Sequence, residues 1–346
     1  MRNKGFILIL AIFTLLYTAQ LAEASGRKLG TAGAAQLQIP MGAKGVAIAG
    51  SNISSVAGTD AIFWNPAGLA MMNATEANFN YLSYFADMSI SYITVGTKIG
   101  ASNAIGASLQ ILNVGDIDVT TINNPEGTGQ VLSPTFFTAG LTYSRQMTDR
   151  INFGINAKLV YEKINNMSAQ AVAFDFGLQY ITPWGIELGV ILKDIGSEIQ
   201  YSGSDAEFNS EIPFANPNAT TRKTKLDMAS HELPTSFGLG LGYTFDIAQS
   251  QALTASGVYL NNSYNNDNLN VGAEYNLNNL LFGRLGYTMA LFDSDYPDEE
   301  KEYQYGLTAG LGVQLLVGGA ALKFDYAYRP MSLLDANHYF NVGFAF

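Results

Sequence analysis

Residues 303–315 (YQYGLTAGLGVQL) place Tyr303, Tyr305, Leu307, Ala309, Leu311, Val313 and Leu315 on one face, with Gln304, Gly306, Thr308, Gly310, Gly312 and Gln314 on the other. Alternation at period two over such a length specifies a β-strand and is incompatible with a helix. Residues 233–246 repeat it, with Phe237, Leu239, Leu241, Tyr243 and Phe245 opposite Ser236, Gly238, Gly240, Gly242 and Thr244. Segments of this kind are read at 76–86, 88–99, 103–113, 133–145, 151–163, 168–181 and 184–195. They continue at 233–246, 250–260, 267–276, 280–291, 301–315, 319–329 and 335–346. These are about fourteen strands, each near the ~10 residues that cross a bilayer when tilted.

One face of these strands is aromatic and aliphatic, and the other is small or polar. A soluble sandwich turns polar residues to water and apolar ones to a core. Here only 14% of residues are charged, against about 25% in soluble domains. The sequence therefore predicts an all-β protein, a transmembrane antiparallel barrel with its apolar face toward lipid. The connections support this parity. After strands 2, 4, 6, 8, 10 and 12 they are short: Gly100–Ser102, Met147–Arg150, Thr182–Pro183, Asp246–Gln249, Asn276–Asn279 and Val317–Gly319. The opposite side carries long polar connections at Val114–Leu132, Gly196–Glu232 and Asp293–Glu300. Short periplasmic turns alternating with long outer loops are the barrel pattern.

The two ends carry addressing signals. Arg2 and Lys4 precede an apolar run from Phe6 to Tyr17, and Ala22-Glu23-Ala24 offers a small-residue cleavage pattern. Residues 1–24 are read as a signal peptide cleaved near Ala24, an N-terminal anchor helix being the alternative. The expected location is the outer membrane of a diderm bacterium. His338, Phe340, Val342, Phe344 and Phe346 share one face of the last strand. A terminal aromatic strand resembles the signal read by barrel-assembly machinery, so that machinery and outer-membrane lipid are expected partners. The chain has no cysteine and a formal net charge of −11. Disulfides and thiolate chemistry are thereby excluded, and nucleic acid is a poor partner for an acidic chain.

With the apolar face on lipid, Lys98, Lys158, Glu162, Asp175, Glu187, Lys193, Glu274, Arg284, Lys323, Asp325 and Arg329 point inward. Lys158, Asp175, Glu187, Arg284, Lys323, Asp325 and Arg329 are the candidates for an ionic network in the lumen. Such a network holds wall and filling in register or lines a ligand path. The balanced signs argue against an anion-selective pore. No catalytic, cofactor-binding or metal site is expected. The chain has two histidines, His231 and His338, and His231-Glu232-Leu233-Pro234-Thr235 is not a zinc HExxH helix. Asp293–Glu300 (DSDYPDEE) lacks calcium-loop spacing.

Residues 25–75 do not alternate. They are small and apolar, interrupted by Pro40, Gly42, Gly45 and Gly50, and end in AIFWNPAGLAMM at 61–72. A fourteen-stranded lumen is wide enough to need filling, so this segment is assigned as a plug inside the barrel of residues 76–346. Asn65, Pro66, Ala67 and Gly68 are expected to form its compact turn. Phe63, Trp64, Leu69, Met71, Met72 and Phe282 are candidate apolar contacts in the lumen.

The runs Ile39-Pro40-Met41-Gly42-Ala43, Val46–Gly50 and Asp60–Ala70, with Asn65-Pro66-Ala67 at their centre, resemble the start of the PorV/PorQ family of outer-membrane proteins. That family is related to the FadL long-chain fatty-acid transporters. The resemblance implies a plugged fourteen-stranded barrel without enzymatic activity, and it implies two functions. PorV-like members dock and shuttle the C-terminal signal domains of exported proteins in type IX secretion. FadL-like members take up hydrophobic small molecules. The residues alone do not choose between C-terminal domains and hydrophobic ligands. In a docking role, Ile212, Pro213, Phe214 and Pro217 of the long loop would be anchors, the alternative being that they fold down over the barrel mouth.

Overall fold

The computed structural model describes residues 30–211, 221–291 and 305–346. Fourteen antiparallel strands close into a barrel. They are β1 (Glu76–Ser83), β2 (Ser89–Ile99), β3 (Asn103–Asn113), β4 (Thr135–Thr148), β5 (Ile151–Ile164), β6 (Met167–Ile181) and β7 (Ile186–Gly196). The remainder are β8 (Ser236–Ala248), β9 (Gln251–Asn262), β10 (Asp267–Leu277), β11 (Leu281–Leu291), β12 (Leu307–Val317), β13 (Ala320–Arg329) and β14 (Asn337–Ala345). Each strand pairs with its neighbours in sequence, and β1 pairs with β14 from Glu76 opposite Ala345 to Ser83 opposite His338. Thr75 and Phe346 add two backbone hydrogen bonds of 3.0 and 2.9 Å at that seam. No edge is left for a lipid to meet, which is the condition for a sheet in a bilayer.

All fourteen segments read from the sequence are strands, within a few residues at their ends. Residues 301–304 of the twelfth lie outside the described residues, as do the expected signal peptide, Asp293–Glu300 and Ile212, Pro213, Phe214 and Pro217. On the short-turn side, Asn278 and Asn279 have φ of 58° and 52°, and Gly318 and Gly319 have 61° and 91°. Two left-handed residues in succession make the two-residue turn whose twist matches the strands it joins. On the opposite side, the connection after β7 carries a hairpin pairing Glu207–Glu211 with Thr221–Lys225. It is tied to the β5–β6 turn by Asp205, which accepts hydrogen bonds from both Asn166 and Asn165. Those bonds hold the exposed Asp205 carboxyl below the usual carboxylate range.

The outer surface is the apolar face of the alternation. Phe340, Val342, Phe344 and Phe346 are exposed on β14 and just beyond it, while Tyr339, Asn341 and Ala345 are buried. The same division runs through β8, where Phe237, Leu239, Leu241, Tyr243 and Phe245 face out. No helix among the described residues is long and apolar enough to cross a membrane.

The small face meets the N-terminal segment. Residues 30–75 fold into short helical pieces, α1 (Ala43–Ala47), α2 (Ala61–Trp64) and three 3-10 turns at Ala35–Gln38, Gly58–Asp60 and Pro66–Met71. Wall glycines sit where this chain comes closest. A Cβ at Gly154 would overlap the Pro66 carbonyl, and one at Gly177 would overlap the Asn65 amide. At Gly189, Gly272 and Gly286 it would strike the backbone of Ile53 and Ile48, and at Gly310 the Ala47 side chain. These positions lie on six strands around the lumen. The inner face is therefore glycine-rich because two backbones must approach each other there.

Candidate functional site

The motif at 61–72 is the keystone of the plug. Asn65 caps the 3-10 turn that begins at Pro66, its Oδ1 accepting from the Ala67 amide at 3.2 Å. Proline suits the first position of such a turn because its missing N–H is not needed there. The Asn65 Nδ2 donates to Ile53 O at 2.7 Å and reaches Leu178 O on β6 and Val190 O on β7 at 3.3 and 3.4 Å. One buried amide thus joins the plug to itself and to two wall strands. Gly68 is required because a Cβ would overlap the Val56 carbonyl. Asn65→Leu should remove this clasp at about 1–3 kcal/mol for the buried groups left unpaired. The expected result is faster proteolysis of residues 30–75 in an intact barrel, and unchanged cleavage would contradict it.

The apolar candidates divide by role. Phe63 meets Trp64 and Tyr92 edge-on, with ring centroids 5.1 and 6.1 Å apart. The Trp64 indole lies on Gly45 and Gly50, where any side chain would collide with it, while a Cβ at Gly42 would meet it at ordinary contact distance. Both residues line the large cavity described below. Leu69 and Met72 are buried against Gly96 of β2, packing plug to wall, and Met71 is half-buried outside the cavity. Phe282 lies under the Arg284 guanidinium, 5.2 Å from ring centroid to Cζ, and does not line the cavity.

The inward charges form two clusters rather than one network. On one side Lys158 pairs with Asp175 at 2.6 Å and with Asp194. Asp175 also accepts from the Asp194 amide at 2.9 Å and from Asn156 at 3.1 Å. On the other side Arg284 bridges Glu274 at 2.5 Å and Asp325 at 2.6 Å. Lys44 of the plug reaches Glu274 at 3.6 Å, and Lys323 reaches Glu76 at 3.2 Å. Glu187 and Arg329 stand apart from both. Glu187 Oε2 is buried without a hydrogen-bond partner among the described residues, and the Arg329 guanidinium stacks on Tyr305 at 3.5 Å.

Asp194 is the member that alternation does not reveal. If Lys193 faces in, Asp194 should face lipid. The β6–β7 ladder instead slips, with Phe174 opposite Ile195 and Phe176 opposite Leu192, so that Lys193 and Asp194 together oppose Asp175. Asp194 adopts φ of 60° at this bulge, and the extra residue re-aims the carboxylate inward. An Asp in an otherwise apolar outward series (Ile186, Leu188, Val190, Leu192) is the signal that could have exposed the bulge.

Above the plug, on the long-loop side, lies a cavity of about 810 Å³. Val46, Ile53, Phe63 and Trp64 form its floor, and the chain from Gly30 to Pro40 lines it. One wall carries Glu162, Lys193 and Tyr201, another Asn262, Asn265, Asn268 and Asn270, and a third Tyr84, Tyr305 and Arg329. Tyr201 donates to Glu162, and burial together with that carboxylate pushes the phenol above its ordinary range. Tyr201 therefore remains a protonated donor. His231 lines the same mouth, its Nδ1 3.3 Å from the Thr31 carbonyl, while His338 meets the Tyr326 hydroxyl at 2.8 Å on the outer face. No group of three metal-ligating side chains occurs among the described residues.

Solved structures share this architecture. The chain is similar to the Pseudomonas putida toluene transporter TodX, with 13% identity over 88% of this chain and 98% of that one and a TM-score of 0.57. The Ralstonia pickettii toluene transporter TbuX matches with 13% identity, the same coverages and a TM-score of 0.55. A Pseudomonas aeruginosa FadL homologue matches with 12% identity over 89% and 98% and a TM-score of 0.53. At such identities the likeness establishes the fold. No curated protein matches the chain. The family model described as type IX secretion system protein PorV matches residues 22–264. With a barrel closed around an N-terminal Asn-Pro-Ala plug and a match over most of its length, the chain belongs to the PorV family of outer-membrane proteins.

Proposed function

We propose that this outer-membrane barrel is a non-enzymatic docking or shuttle component of type IX-like export, holding the C-terminal signal domain of exported proteins at its extracellular mouth. Family membership over residues 22–264 carries the reading. The geometry agrees with it. The plug packs backbone to backbone against the wall, while the cavity lies on the long-loop side, so the accessible recess faces exported protein. The aromatic last strand ending at Phe346 would bring the chain to the membrane through barrel-assembly machinery. A photo-crosslinking side chain at Asn265, at the cavity mouth, should capture C-terminal domains of exported proteins in the native host. The same group at Ala101, in a short turn, should not. Capture of none from Asn265 while export proceeds would sink the proposal.

A second reading, uptake of hydrophobic small molecules, is favoured by the apolar cavity floor. The cavity volume of about 810 Å³ also falls within the ~300–1,000 Å³ usual for small-molecule sites. It requires apolar molecules that survive purification in the barrel and uptake that fails on deletion.

A further inference from the structure

The buried unpaired polar atoms on the residues that line the cavity are divided by type. Its unpaired donors belong to the floor and the adjoining wall. Gln36 Nε2 and Trp64 Nε1 are buried and have no acceptor among the described residues. Lys193 Nζ lies 3.9 Å from the centre of the Phe63 ring. It makes no ion pair among the described residues, because Lys158 takes both neighbouring aspartates. All three residues line the one cavity. Its unpaired acceptors lie on the amide wall, where Asn268 Oδ1 and Asn270 Oδ1 are buried without donors among the described residues. These are successive inward positions of one strand. They are therefore about 6.6 Å apart, the two-residue repeat at which an extended chain turns like groups to the same side. Buried polar atoms left unmade are costly, so this pattern describes a complementary ligand. It needs an anionic acceptor at its end and a row of N–H donors along its length.

A folded domain cannot enter about 810 Å³; a chain end can. We propose that the cavity receives the extended C-terminal tail of an exported protein, its terminal carboxylate on Lys193 and its backbone amides on Asn268 and Asn270. This rests on the docking function above and specifies which part of the domain is read. A fatty acid supplies the same carboxylate but has no donors for the asparagines, which is why the peptide is the assigned source. The capture of a chain terminus by oriented polar groups is an established recognition mode.

The test uses the full-length barrel in detergent with three fluorescent probes. They are a C-terminal domain from a protein exported by the same cell, its last ten residues as a free acid, and the same peptide ending in an amide. The free acid should bind at least about tenfold tighter than the amide, the effect of one charge-assisted hydrogen bond. Lys193→Met should abolish that preference, Lys193→Arg should keep it, and the folded-barrel gel band should be unchanged in both. Asn268→Leu with Asn270→Leu should weaken both peptides alike. Equal binding of acid and amide, with the intact domain still bound, overturns the tail assignment and leaves docking standing. Failure of domain and peptides alike overturns both. A Lys193-dependent response to decanoate without peptide binding assigns the carboxylate to an amphiphile and overturns the peptide.

Discussion

Replacing Gly154 and Gly177 together by valine is expected to unseat the plug while the barrel still assembles. Both glycines face the Asn65-Pro66-Ala67 segment from adjacent strands; a Cβ at Gly154 would overlap the Pro66 backbone, and one at Gly177 the Asn65 side-chain Oδ1. Strands held in a closed ladder cannot retreat, so the displaced partner is the plug. Overpacking costs about 1–3 kcal/mol per site, enough at two sites to shift plug opening at least about tenfold. Limited proteolysis of the solubilised protein should cut residues 30–75 correspondingly faster, with heat-modifiable gel migration preserved. Gly283→Val is the control, because nothing lies within 4 Å of a Cβ there. A double variant as resistant as the parent would show that the plug does not depend on close approach.

The second large effect is expected at Lys158. Its ammonium joins Asp175 and Asp194, whose side chains are 2% and 4% exposed. Lys158→Met leaves two buried carboxylates facing each other across the β6–β7 bulge. Removing one partner of a buried ionic group costs about 3–5 kcal/mol. The folded-barrel band should disappear at a lower temperature and urea concentration, and adding Asp175→Asn with Asp194→Asn should restore much of the loss. Lys323→Met provides the scale. Its side chain is 32% exposed, with the ammonium 3.2 Å from Glu76, so its loss should cost no more than about 1 kcal/mol. Equal effects at Lys158 and Lys323 would contradict the difference in burial.

Barrel architecture was legible because membrane and chain impose one periodicity. Alternation sends Phe237, Leu239 and Leu241 to lipid and their neighbours inward, and the parity of short and long connections fixes the direction of every strand. The Asn65-Pro66 element was legible for a local reason, since a cap and a proline act on the residues beside them. Most of the inward charges were legible, but Asp194 was not, and neither was their division into two clusters. Whether Arg284 meets Asp325 or Asp175 depends on strand neighbours far apart in sequence.

By itself the sequence determined which residues form strands, which face of each meets lipid, and that residues 25–75 must do something else. Only the tertiary structure decided where the wall must be glycine, because that depends on a plug backbone from another part of the chain. It also decided that Asp194 turns inward, since a bulge is a mismatch between two strands and belongs to neither alone. The cavity with its unpaired donors and acceptors was decided there too. Gln36, Lys193 and Asn270 come from the plug, β7 and β10, and they line one space only because the barrel closes.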